Sequence, residues 1–343
     1  MQKPATIHDI AREAGVSPAT VSRVLSDSGY PVRASTREAV LRTAERLHYI
    51  PNLLGKQLKT NTNTSFAVVV PSITNPFYSS VLLGIEEVAR KNGYDILLCN
   101  SFHDPKLEEQ FLTSIFEKQV RGLLVSSISP NKNMLRQLIR LGLNVVALDQ
   151  DMDEKRICRV GFDYARGGYM ATSYLIGKGH TAIAYVTSPL DRPSRTSIHQ
   201  GYTQAMREHG LPLVVYEGGP DDAAEDDYEF AVGKAMVRSM TERSALPEAL
   251  FCCNDMVAIG AIHELVARGV SIPGDVSVIG FDGIAFGRMI TPALTTIEQP
   301  DYEMGKLACR MLVEMVEGRQ KTDVDLMLQP KLIERASVAD RRT

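Results

Sequence analysis

Apolar residues near the start of the chain recur at helical spacing, with Ile7, Ile10, Ala11 and Ala14 on one face. Gly15 ends that pattern, Ser17 is placed to cap a second helix, and Val21, Val24 and Leu25 continue an apolar stripe. A stretch rich in Ser, Gly and Pro at 26–35 precedes a third helical pattern. That pattern turns Ala39, Val40, Thr43, Ala44 and Leu47 inward, with Ser35 or Thr36 as its expected cap. Two short helices across a Gly-containing turn, followed by a third, predict a helix-turn-helix unit. Beyond the polar run at 61–65 the texture changes. Apolar runs of strand length at 66–70, 94–99, 122–126, 143–148, 182–187, 249–253 and 276–281 alternate with amphipathic stretches such as 78–92, 107–118, 164–178 and 255–268. Repeated strand–helix–strand units predict parallel sheets covered by helices on both faces. Some 270 residues is long for one doubly wound sheet, so two α/β lobes are expected, with ligands at the carboxyl ends of their strands.

Composition narrows the class. The 343 residues are 44% hydrophobic and 23% charged, which excludes a wholly disordered chain. No stretch approaches the ~20 apolar residues of a membrane span. The start, Met1-Gln2-Lys3-Pro4-Ala5-Thr6, lacks the apolar core of a secretion signal, so the cytoplasm is the expected compartment and no membrane partner is expected. Charge is unevenly spread. Residues 1–60 hold nine basic and five acidic residues, a balance of +4, whereas the whole chain carries −3. A basic head on an acidic body points to a polyanionic partner. The five cysteines, Cys99, Cys158, Cys252, Cys253 and Cys309, are odd in number and form no Cys-x-x-Cys pair. Buried thiols are expected rather than disulfides or a zinc site.

Several chemistries are set aside. Asp149-Gln150-Asp151-Met152-Asp153 superficially opens like a calcium loop, but the turn glycine is missing and the twelfth position is Val160. The acidic run at 221–227 reads as a solvated loop and helix start. There is no phosphate-cradling loop, nucleophile elbow or zinc-protease helix. His180, in a helix-to-strand turn, reads as structural. Without a nucleophile and base to pair, no enzyme and no cofactor are expected.

A family resemblance then enters. Thr6-Ile7-His8-Asp9-Ile10-Ala11 and Gly15-Val16-Ser17-Pro18-Ala19-Thr20-Val21-Ser22-Arg23-Val24-Leu25 resemble the DNA-binding head of the lactose-repressor (LacI/GalR) family. Tyr49-Ile50-Pro51-Asn52 followed by Leu58 resembles its hinge. The body adds Asn75-Pro76-Phe77-Tyr78, Gly84-Ile85-Glu86, Lys178-Gly179-His180, Asn254-Asp255, Ile279-Gly280-Phe281-Asp282 and Leu332-Ile333-Glu334-Arg335. The resemblance spans nearly the whole chain. It implies an N-terminal all-α helix-turn-helix head with a hinge helix, and an α/β two-lobed body with parallel sheets, similar to periplasmic binding proteins and joined by three crossing strands. The expected boundaries are 1–50 for the head, 51–64 for the hinge, 65–161 with 294–321 for the first lobe, and 162–293 with 322–343 for the second.

In the head, Val21, Val24 and Leu25 form the core face of the second helix. Arg23 can fork onto guanine O6 and N7, a pairing that discriminates by ~1–3 kcal/mol, and Pro18 and Ala19 suit a thymine methyl. The resemblance places Pro18, Ala19 and Arg23 against bases, and Thr20, Ser22, Tyr49 and Asn52 against phosphates. It makes Leu58, with Lys59 beside it, a minor-groove wedge on a hinge helix that forms on DNA. Gly55 lies in that helix, where Gly costs about 1 kcal/mol relative to Ala, so the hinge is expected to be harder to fold.

In the body, the resemblance places Phe77 and Tyr78 at the cleft mouth, where their faces would stack on a ring. Asp282 would hold hydroxyls or an amine, with Asn254 nearby and Arg192 and Ser194 in the loop after 182–187. Asp149 and Asp163 follow strands of the first lobe and the crossover. Where the family usually carries Arg three residues before Gly201-Tyr202, this chain has Ile198. Arg195 is its nearest substitute, and the departure argues against an ordinary hexose. The implied protein is a homodimeric regulator, of repressor type, on a near-palindromic double-stranded DNA operator. Its affinity would be switched by a small-molecule effector, a sugar or sugar derivative, with the sign of the switch open. The rival is a sugar-binding protein or sugar-handling enzyme on the same lobes, against which the missing secretion signal and missing catalytic constellation count. No leucine-heptad tail follows 336–338, so tetramers by that route are not expected. Leu58→Ala is expected to reduce operator affinity and DNA bending while leaving effector binding intact, as read by gel mobility of circularly permuted operator fragments.

Overall fold

Thr6 opens the first helix, α1 (Ile7–Ala14), through a capping box. The Asp9 N–H donates to the Thr6 hydroxyl at 3.4 Å, and the Thr6 N–H donates to Asp9 Oδ2 at 2.9 Å. Gly15 closes α1 at φ +66°, a left-handed position that glycine takes without steric cost. Pro18 starts α2 (Pro18–Leu25), where the Thr20 N–H donates to Ser17 Oγ at 3.2 Å. The third helix, α3 (Ala34–Arg46), begins before either expected cap. Ser35 and Thr36 lie inside its first turn, and Arg33 precedes it without a side-chain cap. Val32, packed against the head core, holds the chain at that point instead. Ile10, Ala11, Val21, Val24, Val40 and Ala44 form this core, as their spacing requires. The computed structural model describes residues 5–25, 30–49, 64–148, 157–219, 228–243, 246–319 and 324–342, in two compact units, Met1–Asn63 and Thr64–Thr343. Most of the hinge at 51–64, with Asn52, Gly55, Leu58 and Lys59, lies outside the described residues, as does Asp149.

The body alternates strand and helix. The first lobe contains β1 (Ser65–Val70), α4 (Pro76–Lys91), β2 (Asp95–Asn100), α5 (Pro105–Glu117), β3 (Gly122–Val125), α6 (Asn133–Arg140), β4 (Asn144–Leu148) and β5 (Cys158–Phe162). The second follows with α7 (Tyr164–Gly177), β6 (Ile183–Thr187), α8 (Pro193–Glu208), β7 (Val214–Glu217), α9 (Tyr228–Glu242), β8 (Ala249–Cys252), α10 (Asp255–Ala267) and β9 (Ser277–Asp282). The chain closes with β10 (Thr295–Glu298), α11 (Asp301–Val316), β11 (Asp325–Leu328) and β12 (Lys331–Ile333). The first six-stranded sheet runs β11-β5-β4-β3-β1-β2 and is parallel throughout. The second runs β12-β10-β9-β8-β6-β7 and is parallel except for β12. The chain therefore crosses between sheets after β5, after β10 and after β11. Two boundaries read from sequence need correction. Thr295–Glu298 pairs in the second sheet and Asp325–Leu328 in the first, so these crossings come later than 294 and 322. Each short strand extends the sheet it leaves by one more row of backbone bonds before the chain departs.

Close approach of helices sets the packing around both sheets. Where α4 meets α11, a Cβ on Gly84 would stand 2.1 Å from the Tyr302 carbonyl oxygen, and one on Gly305 would stand 2.0 Å from that of Val81. The same reciprocal arrangement joins α7 to α8 through Gly168 and Gly201, and α9 to α10 through Gly233 and Gly260. Backbone-to-backbone contact at these crossings leaves no side chain that could yield. Gly201→Ala is expected to destabilise the body by about 1–3 kcal/mol or more, read as a lower urea midpoint at an unchanged slope.

Candidate functional site

Two surfaces carry the chemistry. On the head, α2 buries Val21 and Val24 and leaves Ala19 and Arg23, four residues apart, exposed on one face. Pro18, Thr20 and Ser22 are half-buried beside them. The Arg23 guanidinium lies over the Tyr30 ring, 4.3 Å from its centroid. The Thr20 and Ser17 hydroxyls bond each other at 2.9 Å, so Thr20 serves the helix start as well as facing outward. Tyr49 is half-buried and packs against the head core, with its N–H bonded to the Ala44 carbonyl at 2.9 Å.

The body site is a half-open cleft between the lobes, lined by residues of both. Asn75 caps α4 by accepting from the Phe77 N–H at 3.0 Å, which brings Phe77 and Tyr78 to the cleft wall in an edge-to-face pair. The N-terminus of α8 supplies Arg192, Ser194 and Arg195, and Ile198 follows one turn later. Arg195 is buried and held on several sides. Its Nη1 donates to the Pro189 carbonyl at 3.1 Å and to Asp191 Oδ1 at 3.4 Å, and its Nη2 lies 3.6 Å from Glu229 Oε1. The other Glu229 oxygen accepts from Asn75 Nδ2 at 2.8 Å, a bond that joins the two lobes. A second link between lobes pairs Arg192 with His103 Nδ1. Burial, with Arg192 and Arg195 beside it, pushes His103 down to about 3, so its ring is neutral and accepts from Arg192.

At the opposite end, Asp282 leaves β9 at φ +117° and Gly283 follows at +81°. A non-glycine residue in that region is strained and must be held by its surroundings. Asp255, fully buried beneath the turn, does this. Its carboxylate accepts from the Gly283 and Ile284 N–H groups at 2.9 and 2.8 Å and from the Thr296 hydroxyl at 2.6 Å. Asp282 in turn accepts from Gln299 Nε2 at 2.7 Å, and Gln299 Oε1 accepts from the Tyr164 hydroxyl at 3.2 Å. Asn254 is committed partly to structure, since its side-chain oxygen accepts from the Val257 N–H at 2.8 Å.

Of the residues expected at this site, Phe77, Tyr78, Arg192, Ser194, Arg195, Asn254 and Asp282 meet in one cleft. Asp163 does not join them. It caps α7 by accepting from the Arg166 N–H at 3.0 Å, and with Arg159 and Asp325 it lines an adjoining recess that shares Tyr164 and Ser194 with the cleft. The first turn of α7, which needs an acceptor, claims its carboxylate. Sequence reasoning missed Asn75, Tyr164, Glu229 and Gln299. Asn75 carries a readable cap signal before Pro76, whereas Glu229 and Gln299 reach the cleft only through chain crossings and helix packing. His180 is structural, fully buried with Nε2 3.1 Å from the Ala339 carbonyl oxygen.

Comparison with known proteins gives a consistent picture. Residues 6–52 match the bacterial regulatory proteins of the lacI family, and residues 172–338 match a periplasmic binding protein-like domain. The chain is 32% identical over 338 residues to the HTH-type transcriptional repressor PurR of Pasteurella multocida, covering 98% of this chain and 99% of that one. It is 35% identical over 331 residues to catabolite control protein A of Priestia megaterium, covering 96% and 97% respectively. A solved LacI family transcriptional regulator from Enterococcus faecium with bound ribose superposes with a TM-score of 0.73 at 28% identity. It covers 81% of this chain and 100% of its own.

The buried Asp255 makes the body's stability pH-dependent. Burial raises its carboxyl from 3.8 to about 7, against the Thr296, Ile284 and Gly283 hydrogen bonds that favour the ionised form. The folded state then holds this proton more tightly than the unfolded chain. Its stabilising contribution is fully present below the usual carboxylate range and is lost as pH rises towards 7. Wild-type stability relative to Asp255→Asn is expected to fall over that range in urea melts.

Proposed function

The chain belongs to the lacI family of bacterial regulatory proteins, as a DNA-binding transcriptional regulator with a periplasmic-binding-protein-like ligand domain, and on that premise we propose what it grips and what switches it. It acts as a repressor, a homodimer that places two α2 helices in successive major grooves of a near-palindromic operator. Ala19 and Arg23 meet base edges, with Pro18 beside them, and Thr20 and Ser22 meet phosphates. A sugar or sugar derivative bound between the lobes changes operator affinity. The bound ribose of the Enterococcus faecium relative supports a ligand of that size.

The observation that carries this reading is the joining of both lobes across one polar cleft by side-chain bonds, Asn75 to Glu229 and Arg192 to His103. A ligand between the lobes must exchange those bonds for its own, so it shifts the balance of lobe arrangements by its differential affinity for them. Gln299 relays the change, because it bonds Asp282 in the cleft and Tyr164 where the chain first crosses between lobes. Coupling of about 1–3 kcal/mol between ligand and operator is typical for such a device.

Fluorescence anisotropy on genomic fragments tests this. Wild type is expected to prefer particular fragments over random duplex, with affinity falling steeply with salt. Arg23→Ala is expected to lose about 1–3 kcal/mol of that preference while keeping salt-dependent non-specific binding. Equal affinity of wild type for all duplexes, with and without sugars, would overturn the reading.

A further inference from the structure

The two cleft arginines have unequal surroundings. Arg195 has Asp191 and Glu229 within reach of its guanidinium, so its charge is compensated inside the protein. Arg192 has no carboxylate at ion-pair distance among the described residues, and its bond goes to a neutral imidazole nitrogen. Burial and the adjacent Arg195 charge lower the Arg192 pKa, against the weaker pull of Tyr78, Glu229 and Asp191, none of which pairs with it directly. His103 cannot supply the missing charge, because an imidazole is either neutral or positive. Ile198, buried on the same wall, adds only apolar surface. Arg192 and Arg195 are the only cations lining the cleft among the described residues.

The other end of the cleft is built for hydroxyls. Asp282 and Gln299 are buried together, and Tyr78 and Tyr164 bring phenol groups to the same space. Asp282 repels an anion, so a charged ligand would place its negative group away from Asp282 and its hydroxyls towards it. His103 sits where an anion would come. It and Phe102 adopt φ values of +60° and +49°, a left-handed turn held by the His103 N–H on the Pro71 carbonyl at 3.1 Å. A ligand anion that reaches Arg192 must displace the Arg192–His103 bond. An entering anion then exchanges a neutral acceptor for a charge-assisted, fork-shaped pair.

Building on the reading of this cleft as an effector site, we propose that the effector is an anionic polyol, its carboxylate or phosphate paired with Arg192 and its hydroxyls directed to Asp282 and Gln299. The negative group selects, and the hydroxyl end orients.

Isothermal titration of the full-length protein with D-gluconate, D-glucuronate and D-glucose 6-phosphate, beside neutral D-glucitol and D-glucose, tests this. At least one anion is expected to bind ten-fold or more tightly than its neutral counterpart. The carboxylate and phosphate probes distinguish the two sources of charge. Arg192→Gln is expected to erase the preference, and Arg192→Lys to restore part of it, which separates loss of charge from loss of fold. His103→Ala is expected to tighten anion binding by removing the internal competitor. Neutral sugars binding as tightly as the anions, or an anion preference that survives Arg192→Gln, would overturn the proposal while leaving a sugar-switched regulator intact. If none of these probes binds and D-ribose does not bind either, the reading of the cleft as a sugar site fails together with the proposal.

Discussion

Three crossings of the chain, after β5, β10 and β11, tie the two sheets together. The crossing segments bond to one another. The Tyr164 hydroxyl donates to Gln299 at 3.2 Å, and Arg166 Nη1 donates to Gln329 Oε1 at 2.8 Å. Pro300 and Pro330 follow these glutamines, and their rings restrict the backbone where the second and third crossings turn. One bond further, Gln299 holds Asp282 in the cleft. The candidate cleft and the crossing segments thus form one connected polar network. Such a network has few arrangements in which all its buried groups are satisfied.

The second constraint is the cost of charge out of water. The body places Asp255, Asp282, Glu229, Arg192 and Arg195 within or just beneath one cleft, and each answers burial differently. Asp255 spends its oxygens on two backbone N–H groups and a hydroxyl, and so becomes part of the turn that aims Asp282. Glu229 divides itself between Arg195 and Asn75, and so becomes a latch between lobes. Of the two arginines, Arg192 alone has no carboxylate at ion-pair distance among the described residues. Buried charges are generally paired, so an exception inside a cleft carries information about what the cleft receives.

Legibility in the sequence followed burial. The head core and the central strands were readable because fully buried elements impose strict apolar periodicity, as in Val21 and Val24 or the run from Phe66 to Val70. Edge strands were not. Val214–Glu217 is largely exposed and Asp325–Leu328 alternates weakly, so neither interrupts the surrounding polar texture. The crossing at β11 was placed too early for the same reason, whereas β10 is a buried inner strand whose four residues, Thr295-Thr296-Ile297-Glu298, carry too little apolar pattern to read. Family likeness brought seven effector candidates to the cleft, but it put Asp163 there as well, because a carboxylate after a strand looks alike whether it meets a ligand or caps a helix.

Periodicity, capping signals and glycine positions along the chain determined a three-helix head and an alternating strand–helix body, since these depend on neighbours within a few residues. Which charges meet was decided by the tertiary structure. Glu229 reaches Arg195 across 34 positions and Asn75 across 154, and Gln299 finds Asp282 only because β10 lies beside β9. Electrostatic energy depends on distance in space and on the dielectric around each group, and neither quantity exists until the lobes have folded against each other.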